Sequence, residues 1–340
     1  MSLEPRTPSR RQFLKGAVVL GGVGTLAVAG GVALWQSTGT SDSAPGASLA
    51  PGDPPSLDAL AEAVTSGGPG KDGIPPIDRP QFVAAGRVDF LNDDEPVFGL
   101  TYRGEIRAYP QLVLVWHEIV NDTVGGQQIA VTYCPLTGTV IGFTGIPDGP
   151  ALTFGTTGDL VNSNLLMYDR QTDSQWPQLL GVAIRGPHKG QRLASVPLVW
   201  TSWKAWRTTH PDTLVLSTET GSLRRYGSDP YGSYPRRSGY YVEGGPFFPV
   251  LATDDRFGAK DIVIGIRAGD ATVAVHRELV RREKSVPVTV GGTRLTAEWD
   301  EALETARVTG ADNTADGAVD VLDAMWFAWY AFHPDTEVLR

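Results

Sequence analysis

Residues 116–138, Trp116 to Gly138, read WHEIVNDTVGGQQIAVTYCPLTG, and this stretch decides the fold. Two runs rich in β-branched residues, Ile119 to Val124 and Ile129 to Tyr133, flank Gly125-Gly126. Such a dipeptide supplies the positive φ that a two-residue hairpin turn requires. With the glycines as the whole loop, Val124 pairs with Gln127, Val120 with Val131, and His117 faces Cys134. Directly opposed residues hold their Cβ atoms about 4.5–5.5 Å apart, so the spacing predicts a His/Cys pair. Alternation along the strands places Val120, Val124, Ile129, Val131 and Tyr133 on an apolar face. His117, Asn121, Thr123, Gln128, Thr132 and Cys134 share the more polar one.

Working outward, the chain repeats itself around this hairpin. A shift of 166 residues lays VFGLTYRGEIRAYP on VIGIRAGDATVAVH and NDTVGGQQIAV on PVTVGGTRLTA, with eight identities in the 36 positions from Val97 to Thr132. A second match sets WKAWRTTHPDT, from Trp203, on WFAWYAFHPDT, from Trp326. The expected fold is therefore α+β and β-rich, with two related halves at about 85–216 and 250–340. Each half runs hairpin, short helix, Gly-Gly hairpin, aromatic helix, and a pseudo-twofold arrangement would let them share one core. Trp203, Trp206, Trp326 and Trp329, three apart on helical faces, read as core. His210 and His333 precede proline and mark helix ends. Arg224 to Tyr241, with five tyrosines and four arginines among Gly, Ser and Pro, is an irregular loop that seals the junction of the halves or covers a ligand.

The repeat separates scaffold from chemistry. His117 and Cys134 correspond to Glu283 and Asp300, so the pair belongs to the first half alone. The first half also carries an insertion: Gly126 to Trp203 is 43 residues longer than Gly292 to Trp326. It contains Asn162, Tyr168, Asp169, Arg170, Trp176 and Gln178.

The 340 residues, 41% of them hydrophobic, suffice for a folded core. Ser9-Arg10-Arg11-Gln12-Phe13-Leu14-Lys15, followed by a Gly/Ala/Val-rich run from Gly16 to Leu34, matches the twin-arginine export pattern. Residues 1–35 then form a signal or N-terminal anchor, 36–80 a Pro/Gly/Ser-rich disordered tether with a short helix at Leu57 to Val64, and 81–340 the globular domain. The expected location is periplasmic, extracellular or anchored at the outer face of the cytoplasmic membrane. Contact with the membrane would run only through an uncleaved N-terminal segment, and the expected partner is the twin-arginine export machinery. The net charge of −9, which becomes −11 without the four basic and two acidic residues of the first 45, disfavours nucleic acid and anionic lipid. One cysteine allows no disulfide within the chain.

Two function classes follow. A thiolate beside an imidazole has a lowered pKa, so Cys134 and His117 could serve as nucleophile and base or as two ligands to copper or zinc. The alternative is an extracytoplasmic ligand-binding or scaffold protein without catalysis. Its contacts would come from Tyr133 and Thr137 in the hairpin stretch and from Asn162, Tyr168, Asp169, Arg170, Trp176 and Gln178 in the insertion.

Taken in order, GIPPIDRPQF, RAYP, HEIVNDTVGG, TYCPLTGT, MYDRQTDSQWPQLLG and HPDT resemble the landmarks of the domain of unknown function 3179 family of exported bacterial and archaeal proteins, over roughly residues 66–340. The resemblance implies that Tyr133-Cys134-Pro135-Leu136 is a family landmark. It also implies a second cysteine, or selenocysteine, where this chain has Thr137. A dithiol switch or two-thiolate metal site is thereby excluded within one chain, and a one-thiol chemistry is not.

Overall fold

The computed structural model describes residues 52–242, 244–310 and 319–340. The expected export signal and the tether up to residue 51 lie outside the described residues.

The Gly-Gly turn forms as its φ values demand, +56° at Gly125 and +73° at Gly126. It joins Ile119–Val124 to Gln127–Cys134 in the expected register, Val124 opposite Gln127 and Val120 opposite Val131. Thr139–Phe143 and then Ser195–Val196 extend this sheet on the far side. The earlier hairpin, Pro96–Tyr102 with Glu105–Pro110, is the centre of a five-stranded sheet. Most strands pair antiparallel within small sheets, and five short α-helices are described. The molecule is β-rich, with its sheets in a propeller-like ring.

The 166-residue shift survives in three dimensions as a shift of every ladder pair in the two matching hairpins. Val97 opposite Pro110 becomes Val263 opposite His276, and Val124 opposite Gln127 becomes Val290 opposite Thr293. In each half a helix, Trp203–Thr209 or Trp326–Phe332, is followed by a strand that joins its sheet in parallel. The tryptophans explain why the helices dock: a Cβ at Gly99 would meet the ring of Trp206, and one at Gly265 the ring of Trp329. Glycine at those two points lets indole lie flat on the sheet, and each indole N–H donates to a threonine, Thr213 or Thr336, at 3.0 Å. All four tryptophans are buried, as their spacing implies. One core cluster draws on both halves, placing Cys134, Leu165 and Trp176 with Val263, Met325 and Trp329.

The tether expected over 36–80 is corrected from residue 52 onward. Leu57–Glu62 is a helix capped by Ser56, Leu60 is buried, Thr65–Ser66 pairs with the Phe154–Val161 strand, and Ile77 bridges to Val120. The composition suits a linker, but Leu60 and Ile77 supply apolar anchors that hold it to the body.

Candidate functional site

The expected pairing of His117 with Cys134 does not form. The ladder stops at Ile119 opposite Thr132, because the chain leaves the short helix Gln111–Leu114 through Glu118 in the left-handed region, φ +59°. The Glu118 carbonyl accepts from the Tyr133 amide at 2.7 Å, which takes the place of the next ladder pair. On the other side of its strand, Cys134 lies opposite Thr139.

His117 is a fastening. Its Nδ1 lies 2.6 Å from the Pro75 carbonyl and its Nε2 2.7 Å from the Tyr226 hydroxyl. A carbonyl only accepts, so Nδ1 carries the proton and Nε2 accepts from Tyr226. Burial lowers the imidazole from 6.5 to about 4, which keeps it neutral. The ring thus ties the 75–80 segment and the tyrosine-rich loop to the end of the hairpin.

Cys134 is a free thiol, 1% exposed, with Sγ 3.9 Å from the Ser163 carbonyl. Burial, reinforced by the negative charge of Glu118, raises it from 9.0 to about 11. The lowered thiol expected from an adjacent imidazole is therefore corrected: the group is a neutral thiol. Among the described residues no set of three or more His, Cys, Asp or Glu side chains could hold a metal, and Cys134 and His117 do not converge. Copper or zinc does not fit this donor set.

Beneath the thiol runs a closed polar network. Thr137 and Thr139 hydroxyls lie 2.8 Å apart, Asn164 Nδ2 donates to Thr137 at 2.9 Å, Thr139 donates to Gln178 Oε1 at 2.5 Å, and Gln178 Nε2 donates to Thr132 at 3.1 Å. All five side chains are buried and satisfied, which rigidifies the Cys134–Thr139 corner. Thr137, where the resemblance places a second thiol, is one of its members.

The insertion residues Asn162, Tyr168, Asp169, Trp176 and Gln178 are buried, whereas Arg170 is exposed. Asp169 accepts from Thr172 and from the Trp176 indole at 2.9 Å, Tyr168 donates to Asp72 at 2.6 Å, and Arg170 pairs with Asp78 at 3.1 Å. Asn162 donates to the Ala331 carbonyl and accepts from the Leu251 amide. These side chains join the insertion to the rest of the domain. Tyr133 is buried, 3.3 Å from Gln111 Nε2 through its hydroxyl.

The residue not anticipated is Glu118. It is 6% exposed, and its carboxyl has no hydrogen-bond partner among the described residues. Burial alone pushes it from 4.5 to about 8. Its charge acts on Cys134 and on Tyr231, and the charge of Cys134 acts on Tyr231 and Tyr240. Tyr231, whose hydroxyl has no partner among the described residues, and Tyr240, bonded to the Leu136 carbonyl at 2.6 Å, belong to the tyrosine-rich loop. That loop is held by Gln111 and Tyr241, both donating to Asp229, at 2.7 and 2.5 Å, and by the Trp116 indole on Ser228. A carboxyl, a thiol and a phenol thus gather under an aromatic cover. The signal was present in the sequence: a lone carboxylate, one residue past His117, at the entrance to an apolar strand.

Fold and site define a β-rich domain with a buried thiol near a buried carboxyl. The chain belongs to the family described as protein of unknown function (DUF3179), whose family model matches residues 71–336. No curated protein and no solved structure matches it.

Proposed function

We propose that this is an exported protein whose working centre is a single thiol, Cys134, with Glu118 rather than His117 as its proton partner. The two halves, in this reading, form a pseudo-twofold scaffold in which only the first carries the centre. The observation that carries the proposal is the Glu118 carboxyl, 6% exposed and without a hydrogen-bond partner among the described residues, which burial pushes up to about 8. The equivalent residue in the second half, Lys284, has the same left-handed backbone, φ +66°, and its carbonyl likewise accepts from the Trp299 amide. Lys284, however, is exposed and paired with Glu301 at 2.5 Å. The backbone geometry is therefore scaffold, and what sets the first half apart at this slot is the buried acid. Ionised, Glu118 would take the proton from Cys134 and leave a nucleophilic sulfur facing Tyr231 and Tyr240. Apolar walls and a neutral resting centre suit a small, uncharged substrate.

The test is the pH profile of Cys134 modification by methyl methanethiosulfonate in the folded protein. With Glu118 as base, the rate levels off near pH 8, where the carboxyl ionises. Glu118→Gln should remove that plateau, so that the rate climbs until the thiol itself ionises near pH 11. A thiol that reacts only on unfolding, or a profile unchanged by Glu118→Gln, overturns the proposal.

A further inference from the structure

The second half carries a row of polar side chains that the first half lacks. Asp320 pairs with Arg267 across one ladder and Arg267 with Thr272 across the next, so the three side chains share one face of the sheet. Gly265, two residues before Arg267, is on that face and receives the Trp329 ring. His333 follows that helix and lies tilted against Trp329 with ring centroids 4.4 Å apart, close enough to Arg267 and Arg192 to feel the charge of both. Arg192 reaches in from the first-half insertion, with Nη1 3.8 Å from Asp320 Oδ2.

The hydrogen bonds of this cluster do not close. Arg267 turns one edge of its guanidinium to Asp320, Nε at 2.9 Å and Nη2 at 2.5 Å, and the Ser195 hydroxyl takes the other carboxylate oxygen. Arg267 Nη1, at the far end of the guanidinium, has no partner; nor do Thr272 Oγ1 and His333 Nε2. Their residues are 5%, 7% and 6% exposed, and a buried donor left unpaired is costly. Asp270, which acts on Arg192, is exposed, and the Arg192 side chain is 40% exposed, leaving an entrance from solvent. In the first half the positions of Arg267 and Thr272 are held by Thr101 and Ile106, a ladder pair with no guanidinium, and His210 is only half-buried.

We propose that Arg267 Nη1, Thr272 Oγ1 and His333 Nε2 bind a small monovalent anion of the size of chloride, with Arg192 at the entrance. Each of the three can donate to it. The His-Pro-Asp-Thr turn closes a helix in both halves, and in the second it also supplies an anion ligand.

Thermal unfolding in sodium chloride against sodium methanesulfonate at equal ionic strength tests this. A Tm about 2–4 °C higher in saturating chloride is expected. Crystals grown in bromide should give an anomalous peak within hydrogen-bond distance of Arg267 Nη1. Thr272→Val, which keeps the shape and removes one donor, should abolish the chloride-specific increment while leaving the protein folded. Equal Tm values in the two salts with water density lacking anomalous signal would mean an ordered water only and would overturn the site. A chloride increment unaltered by Thr272→Val would overturn its location.

Discussion

At the scale of single residues, Glu118 and His117 are neighbours that burial shifts in opposite senses, and the pH dependence of stability follows from both. His117 falls from 6.5 to about 4, so the unfolded chain binds more protons in that window and stability drops as pH falls through it. Glu118 rises from 4.5 to about 8, so the folded chain binds more protons there, and its contribution is lost as pH climbs through 8. The slopes oppose each other between 4.5 and 6.5, and above 6.5 only the Glu118 slope of this pair remains. Urea unfolding should find the protein less stable at pH 8 than at pH 6.5 by about 2 kcal/mol, and Glu118→Gln should erase that difference. A difference unchanged in the variant would place its origin elsewhere. Cys134 was legible from sequence as the lone thiol of the first-half hairpin, but the buried acid near it was not. Counting pairs outward from Gly125-Gly126 assumes that the ladder continues, whereas the chain leaving a helix needs one left-handed residue, and Glu118 is that residue.

At the scale of elements, the hairpins and aromatic helices were readable because their signals are local. Gly-Gly sets the turn, alternation sets the faces, and tryptophans three apart set the docking side. The close approach of helix to sheet gives a paired expectation. Gly99→Ala and Gly265→Ala each drive a methyl into an indole with no room to retreat, so each should destabilise by about 1–3 kcal/mol or more. Chemical denaturation checks this, and a neutral effect at both would mean that the rings shift freely. The tyrosine-rich loop was not readable in detail. Its order comes from contacts distant in sequence, such as Gln111 with Asp229 and His117 with Tyr226, and composition says nothing about which side chains will meet. The polar network of Thr132, Thr137, Thr139, Asn164 and Gln178 is hidden for the same reason.

At the scale of the whole molecule, the segment from residue 52 to 80 is part of the body. It contributes Leu60 to the core, a bridge at Ile77, the Pro75 carbonyl to His117 and Asp72 to Tyr168. A chain beginning at residue 81 should therefore melt well below one beginning at residue 52, and should lose the tyrosine-loop fastening that His117 mediates. Equal melting temperatures by calorimetry would count against this role. Composition misleads here because Pro and Gly describe backbone stiffness and freedom, while docking depends on two or three apolar side chains meeting a groove that another part of the chain creates.

The shared position of Glu118 and Lys284 has a further consequence. One backbone slot, occupied twice, holds a solvent-exposed lysine in one copy and a buried acid in the other. Two copies of a pattern permit such a division of labour: the second half can act as buttress, conserving the frame, while the first is released to keep an acid that a solitary unit of half the size would have less margin to tolerate.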